Sequence, residues 1–116
     1  AFAQRLEVLA PLAWQRGDVL IRPCAAPEEL DTEGKTLNHC VATYKEKHAD
    51  GKTAIFFLRR ASEPEKPWYT LELKLDDFTV LQNRGKCNCA RTAAVEAFEE
   101  AWLEHIRHMN RKKSIA

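Results

Sequence analysis

No C-x-x-C pair occurs among the four cysteines, Cys24, Cys40, Cys87 and Cys89, and no second pair stands at a matching distance. That excludes a dense disulfide framework and a strong zinc signature, so reduced, cytosolic thiols are expected. No segment approaches the ~20 consecutive apolar residues needed to span a bilayer, and no basic-then-apolar leader precedes the body. A soluble protein with no membrane partner is expected. A charge bias is missing too. The formal net charge is +1, so a nucleic acid would have to be met by a local patch rather than by the whole molecule. There is no internal repeat and no low-complexity segment. The chain opens at Ala1 without an initiator Met, on residues that already read as helix, which suits part of a longer protein.

What is present is ordinary globular chemistry. Apolar residues make up 45% and charged residues 30% of the 116 positions, far from the composition of disordered chains. One domain with one core, spanning 1–116, is expected.

Periodicity outlines the elements. Phe2, Leu6, Leu9 and Ala13 recur at helical spacing towards Trp14, with Pro11 disturbing the later part and Gly17-Asp18 ending the helix. Val19-Leu20-Ile21, followed by Pro23, predicts a brief strand at a sheet edge. Pro27 with Glu28 and Glu29 opens a second helical region. It carries Leu30, Leu37, Val41 and Tyr44 towards His48, with a break at Gly34 and a stop at Gly51.

Ile55, Phe56, Phe57 and Leu58 make the central strand, apolar on both faces. Ser62 to Pro67 is a loop. Tyr69, Leu71, Leu73 and Leu75 alternate with Thr70, Glu72 and Lys74, so the leucine face points to the core and the polar face away from it. A three-residue turn would set Leu75 opposite Thr79, Glu72 opposite Gln82 and Thr70 opposite Arg84. Thr92 is a reasonable N-cap for a last helix with Val95, Phe98, Trp102, Ile106 and Met109 on its apolar stripe. The fold class is α+β, a small three-stranded antiparallel meander with a short N-terminal strand and helices packed on its leucine face.

Several residues could carry chemistry. His39 reads either as a structural hydrogen-bonding residue beside the core stripe or as part of a site. Cys40 reads as a small buried hydrophobe rather than a nucleophile. Glu72 opposite Gln82, beside Thr70 and Arg84, is either a plain wet sheet face or a site to which Arg59 and Arg60 bring positive charge. A carboxylate, a guanidinium and an imidazole together suit acid-base phosphodiester cleavage without metal. No metal or other cofactor is expected: Cys87 and Cys89 with His39 or Cys40, or Glu104 with His108, fall short of a closed ligand set. Arg84-Gly85-Lys86, with Asn88 and Arg91, is either a basic turn or an anion-binding turn before a helix N-terminus. The acidic start and basic end of the last helix, Glu96 to Lys113, complement its dipole or offer phosphate binding.

At these residues the sequence resembles the PcfJ-like family, whose proteins are encoded on conjugative plasmids, integrative elements and phages. The resemblance rests on E-G-K-T-L-N-H-C-V-A-T-Y at Glu33 to Tyr44, I-F-F-L-R-R at Ile55 to Arg60, Y-T-L-E-L at Tyr69 to Leu73 and Q-N-R-G-K-C-N at Gln82 to Asn88. It departs at Asn38, where the family usually shows His. It implies a bacterial, intracellular, mobile-element setting. It also directs attention to His39, Glu72, Arg59 and Arg84 as a catalytic group and to Tyr44, Thr70, Gln82, Gly85 and Asn88 as substrate-binding residues. The leading expectation is a domain that binds or processes nucleic acid, in its bolder form a metal-independent nuclease. The rival is a protein-binding module, serving a transfer complex or inhibiting a host defence complex through Trp68 and Tyr69. The oligomeric state is left open.

Overall fold

The computed structural model describes residues 1–115, with side-chain surroundings through Lys113. Its frame is one antiparallel sheet of five strands in sequential order: β1 (Trp14–Arg16), β2 (Val19–Pro23), β3 (Ala54–Arg60), β4 (Tyr69–Lys74) and β5 (Thr79–Arg84). The α+β class stands, but the sheet is larger than the expected meander plus one strand. The extra strand is β1. Pro11 lacks an N–H and stops α1 (Phe2–Leu9), and a short 3-10 turn over Ala10–Leu12 frees Trp14–Arg16 to pair with β2. Gly17-Asp18 therefore closes a two-residue hairpin instead of ending a helix. Gly17 takes a φ of +60° there, as the first position of a II′ turn requires. With β1 outside it, β2 is not the edge. Pro23 is tolerated because its nitrogen faces the β1 side, where pairing has already stopped at Trp14 with Ile21 and the edge is open.

Helices cover both faces of the sheet, not the leucine face alone. Helix α4 (Ala93–Ile115) covers the leucine face, where Val95, Phe98, Trp102 and Ile106 pack against Phe56, Leu58, Leu71 and Leu73. Thr92 caps this helix through its hydroxyl, which accepts the Val95 N–H at 3.3 Å. The opposite face is covered as well. Leu30 of α2 (Pro27–Leu37) and Val41 pack on Ile55 and Phe57. Helices lie on both faces because β3 is apolar on both and needs cover on both.

The long second helix expected from Pro27 to His48 is three pieces: α2, a 3-10 turn at Val41–Tyr44, and α3 (Lys45–Ala49). The break falls at Asn38, left-handed at φ 55° and ψ 55°, and not at Gly34. Asn tolerates that conformation better than most residues. Gly34 has a different task. A Cβ there would lie 3.0 Å from the His39 carbonyl oxygen, so its absence lets the chain fold back closely over the helix.

The β4–β5 turn also differs in detail. Lys74 pairs with Thr79 across four turn residues, not three, and Phe78 among them is left-handed at φ 55°. A bulge at Leu81, whose side chain is 54% exposed, then shifts the ladder by one. It restores Glu72 opposite Gln82 and Thr70 opposite Arg84, the pairs expected from alternation.

One buried histidine ties α3 to the central strand. The His48 Nδ1 accepts the Ile55 N–H at 3.0 Å, and Phe2 packs on its ring at 5.1 Å. Burial, and then the charge of Arg5, push its pKa from 6.5 down to about 4. The folded state thus holds a neutral ring while the unfolded chain takes up a proton. Stability from this site is complete above pH 6.5 and is lost as the pH falls from 6.5 towards 4. Urea titrations across that window should show falling midpoints. His48→Asn, which keeps an acceptor for Ile55, should flatten the slope while costing about 1–3 kcal/mol at pH 7 for lost packing. An unchanged slope in the variant would remove His48 as its source.

Candidate functional site

The site lies where the turn after α2 crosses β4 and β5. In the β3–β4 register Ile55 faces Glu72 and Phe57 faces Thr70. Alternation then sets Thr53, Ile55, Phe57 and Arg59 beside Thr70 and Glu72 on the face opposite the leucines. Ile55 and Phe57 are covered by Leu30 and Val41. The polar groups must therefore satisfy one another.

They do so in two connected sets. Glu33 sits on the same stripe of α2 as Leu30 and Leu37, and only 1% of it is exposed. Its carboxylate accepts both terminal nitrogens of Arg59, Nη1 at 3.1 Å, and the Thr70 hydroxyl at 2.7 Å. Because that hydroxyl spends its only proton on Glu33, its oxygen must accept from His39 Nε2, 3.0 Å away. An N–H therefore sits at Nε2. The other ring nitrogen, Nδ1, meets only a long 3.4 Å contact from the Val41 N–H. A file of four groups, His39, Thr70, Glu33 and Arg59, thus orients the ring from behind.

In the second set, the half-buried Glu72 accepts the Thr53 hydroxyl at 2.6 Å on Oε2 and the Gln82 amide at 2.9 Å on Oε1. The same Gln82 nitrogen also donates to the Tyr44 hydroxyl at 3.1 Å. Between the sets opens a cleft of about 130 Å³ lined by His39, Tyr44, Thr70, Glu72, Gln82, Arg84 and Asn88 together with Cys40, Val41 and Ile55. Arg84 is exposed at its rim, and its side chain makes no ion pair or hydrogen bond among the described residues.

A sequence profile described as PcfJ-like protein matches residues 1–99, a span that includes every residue of this cleft. The chain belongs to the PcfJ-like family. A protein of Listeria innocua, described only as uncharacterized protein Lin1253/Lin1744, is 41% identical over 81 residues, 68% of this chain. The PcfJ-like chain spans 17% of that relative's length. No solved structure matches.

Of the four residues singled out as a catalytic group in this PcfJ-like domain, His39, Glu72 and Arg84 line one cleft and Arg59 does not. Arg59 is 3% exposed, and its guanidinium is taken up by Glu33 and by the Leu58 carbonyl at 3.0 Å. It cannot reach out to clamp a phosphate, and it supports the site from beneath. Of the substrate-binding set, Tyr44, Thr70, Gln82 and Asn88 line the cleft, whereas Gly85 is buried and is not part of the lining. A Cβ at Gly85 would lie 2.9 Å from the Cys89 sulfur and 3.0 Å from the Tyr69 ring, so glycine is needed there for space.

Other expectations change as well. Cys40 is exposed, not buried; the buried thiol is Cys24, whose pKa burial pushes up to about 12. The turn after Gly85 spends the N–H groups of Gly85, Asn88 and Cys89 on its own carbonyls, leaving little backbone for an anion. Tyr69 is 5% exposed, and Trp68 is half-buried with the Arg60 guanidinium 4.5 Å over its ring, so this aromatic pair is not an open surface. Among the described residues no three His, Cys, Asp or Glu side chains gather as metal ligands, and no helix is long and apolar enough to cross a membrane.

Glu33 and Thr53 escaped the sequence reading. A signal for Glu33 was present: an acidic residue three positions after Leu30 and four before Leu37 interrupts an apolar stripe, and a carboxylate placed so must be paired. Removing one member should show it. Glu33→Ala leaves Arg59 charged and buried, and Arg59→Ala strands Glu33, so each should lose about 3–5 kcal/mol in urea unfolding. Losses below about 1 kcal/mol, the range of exposed ion pairs, would contradict the buried network.

Proposed function

We propose that this PcfJ-like domain binds and processes nucleic acid in the service of a mobile genetic element, with the cleft as a metal-independent phosphodiester site. The supporting observation is the convergence of His39, Glu72 and the unpaired Arg84 on one small opening. The oriented imidazole and the doubly hydrogen-bonded carboxylate supply a proton donor and acceptor, and the guanidinium supplies the charge that a phosphate needs. Size argues the same way. At about 130 Å³ the cleft is well below the ~300–1,000 Å³ typical of drug-sized ligand pockets and has room for a group the size of a phosphodiester. The rest of a strand would lie along the rim, where Arg84, Lys86 and Asn88 are exposed. The intracellular, bacterial setting belongs to the same proposal.

Fluorescence anisotropy with labelled single-stranded oligonucleotides tests the binding. Arg84→Ala should weaken binding about tenfold at low salt, the cost of one charge-assisted contact, and reduce the steepness of the salt dependence. Affinity and salt slope that are indifferent to Arg84 would place any binding elsewhere on the molecule.

A further inference from the structure

We infer that the substrate strand is RNA and that its own 2′-hydroxyl is the nucleophile; this rests on the phosphodiester reading above and narrows it. Little positive charge is available at the cleft. Of the two arginines that the β4 face brings near, Arg59 is committed to Glu33, and only Arg84 is left to face a phosphate. A single cation gives limited help to an external water attacking a DNA phosphodiester. A neighbouring hydroxyl on the substrate needs no capture from solvent, and such intramolecular attack is worth effective concentrations of about 10⁵–10⁸ M.

The spacing along β4 suits the same chemistry. His39 hangs on Thr70, and Glu72 is two residues further along the same strand and face. Their anchor points on β4 are therefore about 6.6 Å apart, two rises of a strand. Two groups so placed can flank one phosphorus atom, one near the attacking oxygen and the other near the leaving oxygen. Arg84 pairs with Thr70 across the β4–β5 ladder, and its side chain opens into the same cleft.

Each group also keeps capacity for the role. Glu72 is held by Thr53 and Gln82 as an acceptor, which suits a base. His39 has Nε2 committed to Thr70, so Nδ1, held only by the long 3.4 Å contact from the Val41 N–H, is the nitrogen left to exchange a proton with substrate. In the step, Glu72 takes the proton of the 2′-hydroxyl as that oxygen bonds to phosphorus. Arg84 holds a non-bridging oxygen, the bond from phosphorus to the 5′-oxygen breaks, and Nδ1 of the imidazolium gives that oxygen its proton. The products are a 2′,3′-cyclic phosphate and a free 5′-hydroxyl. One proton is taken up and one released, with no other reactant.

The test uses three end-labelled oligonucleotides of one sequence: all RNA, all DNA, and DNA with a single ribonucleotide, in chelator under single-turnover conditions. RNA should be cut, and the chimera should be cut only 3′ of its ribonucleotide. Mass spectrometry should find the cyclic phosphate, and DNA should stay intact. Glu72→Gln and His39→Ala should each slow cutting about 100-fold or more. A 5′-thio leaving group, which needs no protonation, should restore His39→Ala and leave Glu72→Gln slow. Cutting of DNA at a similar rate, or 5′-phosphate ends, would overturn the 2′-hydroxyl inference and leave a nuclease standing. Binding with no cutting of any strand would overturn both the inference and the cleavage part of the proposed function.

Discussion

The buried pair of Glu33 and Arg59 is the interaction on which the polar side of this molecule depends. It joins α2 to the central strand through two groups that are each almost wholly removed from water. Such a pair repays its desolvation only when the remaining lone pairs and protons are satisfied. Glu33 meets that condition by taking the Thr70 hydroxyl, and Arg59 by reaching the Leu58 carbonyl and by lying 4.8 Å over the Phe57 ring. The condition is nearly but not fully met, since the Arg59 Nε has no hydrogen-bond partner. Satisfying Glu33 fixes the direction of the Thr70 hydroxyl, and that in turn fixes the His39 ring. A stability requirement in the core thus sets the orientation of a side chain at the surface.

The backbone around His39 serves the same end. Asn38 takes the left-handed conformation that ends α2, and the His39 N–H closes on the Gly34 carbonyl at 3.0 Å. Gly34, without a side chain, permits the close return. On the other wall, the bulge at Leu81 offsets the four-residue turn and brings Gln82 level with Glu72. Neither device touches the cleft with a side chain of its own. Both decide which side chains do.

Local signals carried much of this arrangement. Alternation in β4 and the apolar run of β3 announced the sheet, and the pairs Glu72 with Gln82 and Thr70 with Arg84 followed from counting across a turn. The count assumed three turn residues, whereas the ladder uses four and a bulge, so two departures of one residue cancelled. A bulge depends on tertiary twist and leaves little trace in composition. The strand at Trp14–Arg16 was hidden because an apolar residue after a helical pattern continues the period, and only pairing with β2 shows that Pro11 has ended it. The second covered face was legible in principle, since Ile55 and Phe57 cannot be left in water. The polar alternation of β4 masks it, because Thr70 and Glu72 taken alone have the pattern of a wet face.

That covered face changes what the polar residues mean. On an open sheet, Thr70, Glu72 and Gln82 would each have water as a partner, and their grouping would need no explanation. Under α2 and the turn that follows it, water is displaced, and each polar atom has to find a fixed partner or pay for its absence. The result is a set of oriented donors and acceptors around an opening too small for a large ligand, with one unpaired guanidinium at its edge. Preorganised groups of this kind cost stability to hold in place and are worth most where charge has to be moved within a confined space. What distinguishes this cleft is therefore less which residue types are present than how far packing and hydrogen bonds have fixed His39, Thr70, Glu72 and Gln82.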